Sequence, residues 1–463
     1  MASPTNPSQH PQRTALHNEI HARPPEAMTA PLAISHVVMV CDAAGREASR
    51  AHVAALLRDH HLAQPDAHST HIRMDVGPFR LRWEMHTEFV TYTFMRPLEP
   101  DAAGAQVFDR DPVTAAQAVP QDWFAALPGQ CLVSLHLWAL PAAAADGASS
   151  GASPGALVRQ VLFEDSLVAS SVAGGHGEVY TDFAIHADGF SRIVLLAGGP
   201  ATVQAGGVEA LSPRRLGRLV QRLLEIETYR MAALLGLPAA REAADVLAFA
   251  ERELASLAEA IRTANRDDEP QLLDRLTRLA GQVESQYAAT HSRFSASVAY
   301  FELVDKRITD INESRLAGMQ TIREFMDRRL TPARSTCEWA TRRQDALSQR
   351  VSRMSNLLRT RVEIEQQQSS QALLTTMNTR QGLQLQMQAT VEGLSVAAIT
   401  YYFVGLVSYM AKGAHAVGWP WSPESTAAVA IPLVAGGVWW SLRRLHHRMF
   451  GRHHGEPQRD AHV

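Results

Sequence analysis

LSVAAITYYFVGLVSYMA, Leu394–Ala411, is a stretch of eighteen residues without a charge. As a helix rising about 1.5 Å per residue it spans roughly 27 Å, just enough to cross the hydrocarbon of a bilayer. A second uncharged run, Ser425–Leu442, follows after thirteen residues that include Trp419, Pro420, Trp421 and Pro423. Ser422, Pro423 and Glu424 read as the N-cap, first position and first-turn acid of that second helix. The spacing therefore predicts a transmembrane hairpin over 394–442, with spans at 394–411 and 425–442. Trp439 and Trp440 near one end, and Tyr409, Trp419 and Trp421 near the other, fall where interfacial aromatic belts sit. Arg443, Arg444, Arg448 and Arg452 follow the second span, whereas the connecting loop offers only Lys412. The positive-inside rule then keeps the basic, His-rich tail, 443–463, in the cytoplasm. The competing reading is a helical hairpin buried in a soluble domain, and the basic exit weighs against it.

Upstream, 463 residues with 46% hydrophobic content are enough for two or three domains with a sizeable core. The formal net charge of −3 lacks the basic excess of a nucleic-acid binder, so no nucleic-acid partner is expected. Cys41, Cys131 and Cys337 lie far apart without CxxC spacing, which suits reduced thiols. Met1–Arg13 is polar, carries three prolines and lacks the apolar core of a signal peptide. A disordered segment is expected over 1–13, with the domain that follows in the cytoplasm. Two spans returning the chain to the same side agree with that placement.

The fold class expected is α+β. Over 14–205 the pattern changes often: a strand at Leu32–Cys41, a helix at Arg46–His60, and further strands at Cys131–Leu140, Val179–His186 and Phe190–Leu196. The last two are joined through Ala187, Asp188 and Gly189 as a hairpin turn. Phe79, Leu81, Trp83 and Met85 alternate with Arg80, Arg82, Glu84 and His86, the period of a half-buried strand. Pro141–Gly155, built of Ala, Gly, Ser and Pro, reads as a loop, and the Gly174–Gly177 cluster as a turn. From 206 to 393 the chain reads as a helical, coiled-coil stalk. One helix starts at Ser212–Pro213 and stops at Gly236 and Pro238, a second covers Glu242–Asn265, and a third runs from Pro270 to Leu330. After Thr331–Pro332, a helix of roughly eighty residues, about 120 Å, is predicted to run into the first span. Leu347, Val351, Met354 and Leu358 keep a 4-3-4 seam. Between Gln366 and Val391 the only charge is Arg380 and eight glutamines fill polar positions, which points either to contact with other helices or a wet lumen, or to a locally polar helix near the headgroups.

Motifs that carry chemistry are few. His17, Glu19 and His21, spaced by two, would share one face of a strand and present ligands to a divalent metal ion, set against a plain surface role. Arg82, Glu84, His86 and Glu88 form a polar cluster suited to a cytoplasmic ligand or to ion pairing within a sheet. Thr400, Tyr401 and Tyr402 place hydroxyls near the middle of the first span, and with Gln384 and Gln388 they are the candidate pore- or interface-lining residues. Such a face calls for partner helices, hence a homo-oligomer. No GxxxxGK[ST], HExxH, GxSxG or EF-hand spacing occurs, and no enzyme is expected.

LHNEIHARPP (Leu16–Pro25), RWEMHTEF (Arg82–Phe89), LEIETYRMAALLGLP (Leu224–Pro238), LLRTRVEI (Leu357–Ile364) and TVEGLSVAAITYY (Thr390–Tyr402) resemble the bacterial membrane-anchored proteins of the domain of unknown function 3422 family. The resemblance spans nearly the whole chain and implies anchorage in the inner membrane, with no activity or site to carry over. The layout is also similar to that of CorA-like metal-ion transporters, in which the first membrane helix lines the pore and Gly-Met-Asn closes it; here that position reads Tyr409, Met410 and Ala411. Two roles are therefore expected. One is an oligomeric transporter or channel of CorA-like architecture, multi-pass with both termini cytoplasmic. The alternative is a non-transporting scaffold or ligand sensor tethered to the lipid bilayer, with a cytoplasmic ligand or protein as partner.

Overall fold

LAISHVVMV, Leu32–Val40, forms strand β1, and every residue in it but Val40 is buried. Its apolar, β-branched character suits a strand covered on both faces. The computed structural model describes residues 10–14, 16–17, 24–100, 102–108, 111–142, 158–198, 211–416, 418, 420 and 422–450. The expectations that rest on Glu19, His21, Trp419, Trp421, most of the 1–13 segment, most of the 141–155 loop and the tail beyond 450 lie outside these residues.

Around β1 the strands β2 (His71–Asp75), β3 (Arg80–Met85), β4 (Phe89–Pro97), β5 (Gln130–Pro141), β6 (Val168–Val172), β7 (Gly177–Thr181), β8 (Ser191–Ala197) and β9 (Ser314–Arg315) build one sheet. Its order is β2-β3-β4-β1-β5-β8-β7-β6-β9. Neighbours run antiparallel except β5 and β8, which are parallel. The Gly174 cluster is the predicted turn: Ala173, Gly174 and Gly175 all take positive φ between β6 and β7. The expected strand to His186 ends instead at Thr181. There the Asp182 carboxylate draws the chain away, accepting from the amides of Phe163 and Ala184 and from His186 Nε2.

Both faces of the sheet are covered. On one lies α1 (Ala43–Asp59), capped by Asp42, whose carboxylate accepts from the Gly45 amide at 2.7 Å. Beneath it pack Trp83, Tyr92 and Phe94. The Ser49 hydroxyl of α1 meets Tyr92 Oη at 2.6 Å and accepts from Trp83 Nε1 at 2.8 Å. On the other face lie α2 (Pro213–Leu234) and, following α3 (Gly236–Thr263) in the chain, α4 (Glu269–Asp310), along which α3 packs. Leu216, Leu219, Val220, Leu223 and Leu224 of α2 join Ile34, Val38 and Leu137 of the sheet, and Phe301, Val304 and Ile308 of α4, in a single core. Gly217 sits directly under the Glu26 carbonyl, so any side chain there would collide with backbone.

The long C-terminal helix α5 spans Ile322–Ala416, with Pro332 inside it. The predicted break at Thr331–Pro332 is therefore displaced: the third helix stops at Asp310, and the chain turns through Asn312 and Gly318, both at positive φ. The cause is a carboxylate. Glu313 accepts from the amides of Ile322 at 3.1 Å and Arg323 at 2.8 Å and from the Ser170 hydroxyl at 2.7 Å, which fixes the helix start ten residues ahead of the proline.

The chain divides into two units, Met1–Ser355 and Asn356–Val463. Leu347 and Val351 of the expected seam are buried in the first. The second holds the later part of α5 and α6 (Pro423–Phe450). In it Leu373, Met377, Leu394, Leu406 and Leu433 are exposed. Among the described residues one helix, Ile322–Ala414, is long and apolar enough to cross a membrane, and its apolar window is barely buried by protein.

Candidate functional site

The alternation along β3 sends Leu81 and Trp83 to the α1 face and Arg80, Arg82 and Glu84 to the α2 face. Register then assembles a polar row. Arg82 lies opposite Arg73 on β2 and Thr93 on β4, and Thr93 lies opposite His36 on β1. In the next row Glu84 lies opposite Thr91. Over these rows passes one stripe of α2, Gln221, Leu224, Glu225, Thr228 and Tyr229, at the i, i+3, i+4, i+7 and i+8 spacing of a helix face. The charged face expected to meet solvent is thus covered: Arg82 is 5% exposed and Glu84 9%.

Arg82 Nη2 donates to Glu84 Oε1 at 2.7 Å. An isolated charge at such burial is strongly disfavoured, and here each is set against the other. His36 bridges sheet and helix, with Nδ1 2.8 Å from the Thr93 hydroxyl and Nε2 3.1 Å from that of Thr228. The Thr228 hydroxyl gives its own proton to the Leu224 carbonyl at 2.9 Å, so it accepts from Nε2–H. A neutral imidazole then leaves Nδ1 as acceptor, and Thr93 donates to it. Burial, with the nearby Arg82 and His86 charges, holds the His36 pKa down to about 3.

Between sheet and helix is a cavity of about 40 Å³ in which the centre of a water molecule can move, lined by these residues with His86 and Phe89. That is room for several waters or one small solute. Two buried atoms of these lining residues have no hydrogen-bond partner, Arg82 Nε and Gln221 Oε1. The Gln221 amide is not free to turn over, because its Nε2 donates to Glu225 Oε1 at 2.8 Å while Arg307 holds the other Glu225 oxygen. Each orphaned atom costs about 1–3 kcal/mol if left dry. A polar solute that reached them would remove that cost.

Of the residues expected to form a ligand cluster, Arg82, Glu84 and His86 line this cavity and Glu88 does not. Glu88 turns to α4, accepting from Arg293 Nη2 at 2.6 Å and from Tyr300 Oη at 3.0 Å; burial, followed by this carboxylate, raises the Tyr300 pKa. His17 is exposed, and among the described residues no group of three or more His, Cys, Asp or Glu is placed to hold a metal ion. The Thr400 hydroxyl donates to the Val396 carbonyl at 2.7 Å, within its own helix, so it does not require a neighbouring helix. Tyr401 and Tyr402 are 77% and 75% exposed, Gln384 is exposed, and Gln388 reaches Glu392 Oε1 at 3.5 Å.

His36, Thr93, Gln221 and Thr228 escaped the sequence reading. The one legible signal was a histidine inside the otherwise apolar LAISHVVMV run. A serine–histidine contact, Ser35 Oγ to His136 Nδ1 at 2.9 Å, is a core contact: both residues are buried, Ser35 also accepts the Ala116 amide, and His136 stacks on Phe190.

No curated protein and no solved structure matches the chain. The similarity to CorA-like transporters expected from layout thus finds no support. Residues 8–449 match one family model, described as protein of unknown function (DUF3422). With a mixed α+β fold, long C-terminal helices and a match over nearly its entire length, the chain belongs to the DUF3422 family.

Proposed function

We propose that this protein is a membrane-tethered binding protein whose sheet-and-helix unit takes a small polar solute into the cavity under α2. The observation that carries this reading is the pair of orphaned atoms, Arg82 Nε and Gln221 Oε1, in two residues that line a cavity large enough to fill. The tether is a two-span hairpin over 394–442 with both ends on the cytoplasmic side. Supporting it are the exposed apolar residues of both helices and three stacked cations. Lys412 lies 5.8 Å from the Tyr409 ring centre, Arg443 5.0 Å from Trp439 and Arg444 5.0 Å from Trp440. Cation and aromatic together suit a headgroup layer.

Two measurements test the reading. Thermal melting of the full-length chain in detergent should rise with a subset of small polar compounds, and the paired change Arg82→Met with Glu84→Met, which removes both charges together, should abolish that rise. Proton or ion flux through reconstituted vesicles with no such ligand response would favour transport instead. For the tether, a green fluorescent protein fused to the C-terminus should fluoresce, and alkaline phosphatase fused at Gly418 should be active; an inactive Gly418 fusion would remove the hairpin.

A further inference from the structure

From the cavity's own chemistry, and resting on the binding role proposed above, we infer that its ligand is a small oxyanion that also carries a hydrogen-bond donor, such as a hydroxycarboxylate or a hydrogenphosphate. The charge follows from the arginines. Glu84 serves two guanidiniums, Arg82, which it pairs, and Arg73, which lies opposite Arg82 on β2 and feels the Glu84 charge. Arg73 spends a hydrogen bond on the Pro24 carbonyl, and burial together with Arg82 lowers its pKa while Glu84 opposes the shift. The other carboxylates in reach are already engaged, Glu225 by Arg307 and Gln221, and Glu26 by Arg80. His36 adds no charge, since both its nitrogens are satisfied as a neutral ring. An anion accepting from Arg82 Nε therefore balances the second guanidinium where water screens little.

The donor follows from the acceptors. Gln221 presents its oxygen and cannot offer its amino group, because Glu225 holds it. Thr93 has given its proton to His36 and has only lone pairs left. A fully deprotonated oxyanion would meet these oxygens, and the Glu84 carboxylate, with lone pair against lone pair. An O–H on the ligand converts the same contacts into hydrogen bonds, the discrimination a buried unpaired acceptor enforces. The cavity volume restricts the ligand to a few heavy atoms.

The test uses two matched pairs on the full-length protein in detergent at constant ionic strength: phosphate against sulfate, and glycolate against acetate. Titration calorimetry should give Kd values at least tenfold lower for phosphate and glycolate. Gln221→Leu should shrink that ratio to within about threefold, with phosphate losing affinity and sulfate, relieved of the opposing oxygen, gaining it. If the leucine variant fails to melt cooperatively, Gln221→Met serves the same purpose. Equal affinities within each pair would overturn the donor requirement and leave the binding role standing. Binding confined to uncharged or cationic compounds would overturn the oxyanion class alone. Should none of the four anions nor any other small polar compound alter the melt, the binding role falls with the inference.

Discussion

Residues up to Ser355 and residues from Asn356 onward dispose of their side chains in opposite ways. In the first region charged groups such as Arg82 and Glu84 are covered and paired, and Trp83, Tyr92 and Phe94 are fully enclosed. In the second, leucines, methionines, tyrosines and tryptophans face outward, from Leu373 and Met377 to Tyr402, Leu433 and Trp440. A water-soluble surface of that composition would be an aggregation hazard. The contrast teaches what the proposed tether explains: the first region excludes water to build a core, whereas the second has the surface that a bilayer, where apolar exposure costs nothing, would accept.

Four experiments would break or sharpen that contrast. The largest effect belongs to the core: Trp83→Ala removes a wholly buried indole and its bond to Ser49, and should cost about 3–5 kcal/mol in urea unfolding of the first region. Next comes Phe403→Arg, at the middle of the first apolar run, which should disfavour insertion by roughly 2.5–3.5 kcal/mol and be read as a fall in the membrane-inserted fraction on glycosylation mapping. An arginine tolerated there without loss would sink the bilayer reading.

The third is a pH titration. His36 and His136 both have pKa values lowered from 6.5 to about 3, chiefly by burial, with Arg82 and His86 acting on the first and Arg192, opposed by Asp188, on the second. Above pH 6.5 neither state binds the proton and the full stability is present. Between 6.5 and 3 the unfolded chain binds it and the folded chain does not, so stability falls with pH by about 1.4 kcal/mol per unit for each histidine. His36→Asn should halve that slope in urea melts taken at successive pH values. The smallest effect is expected from Tyr402→Phe, which removes an exposed hydroxyl and should alter stability by less than about 0.5 kcal/mol; a larger change in subunit stoichiometry by light scattering would reveal a helix partner at that face.

How much of this was legible depended on how far apart in the chain the interacting groups lie. The alternation in Phe79–Met85 predicts β3 and its two faces, because the period of a strand is local. The burial of its charged face was not legible, since the cover comes from Gln221–Tyr229, more than a hundred residues later, and periodicity says nothing about which elements meet. The start of α2 at Ser212–Pro213 was readable from cap and proline. The start of α5 was not: Pro332 looks like the boundary, but Glu313 supplies the actual cap through a loop that places its carboxylate over the helix end. For the site, Arg82, Glu84 and His86 were visible as a cluster, while Gln221 and Thr228 were indistinguishable from the polar residues of any amphipathic helix.

Glu313 also decides how the first region bears mechanical load. Its carboxylate holds the first amides of α5, and through Ser170 it grips β6, whose neighbour β9 is the edge of the sheet. A pull on the start of α5 is therefore met twice, by a short set of hydrogen bonds at the sheet margin and by Ile322, Met326 and Leu330, which are seated in the core shared with Ile34, Val38 and Leu137 of the sheet. Tension delivered along that helix is shared between a polar anchor, which can yield one hydrogen bond at a time, and an apolar anchor, which yields only with the core itself.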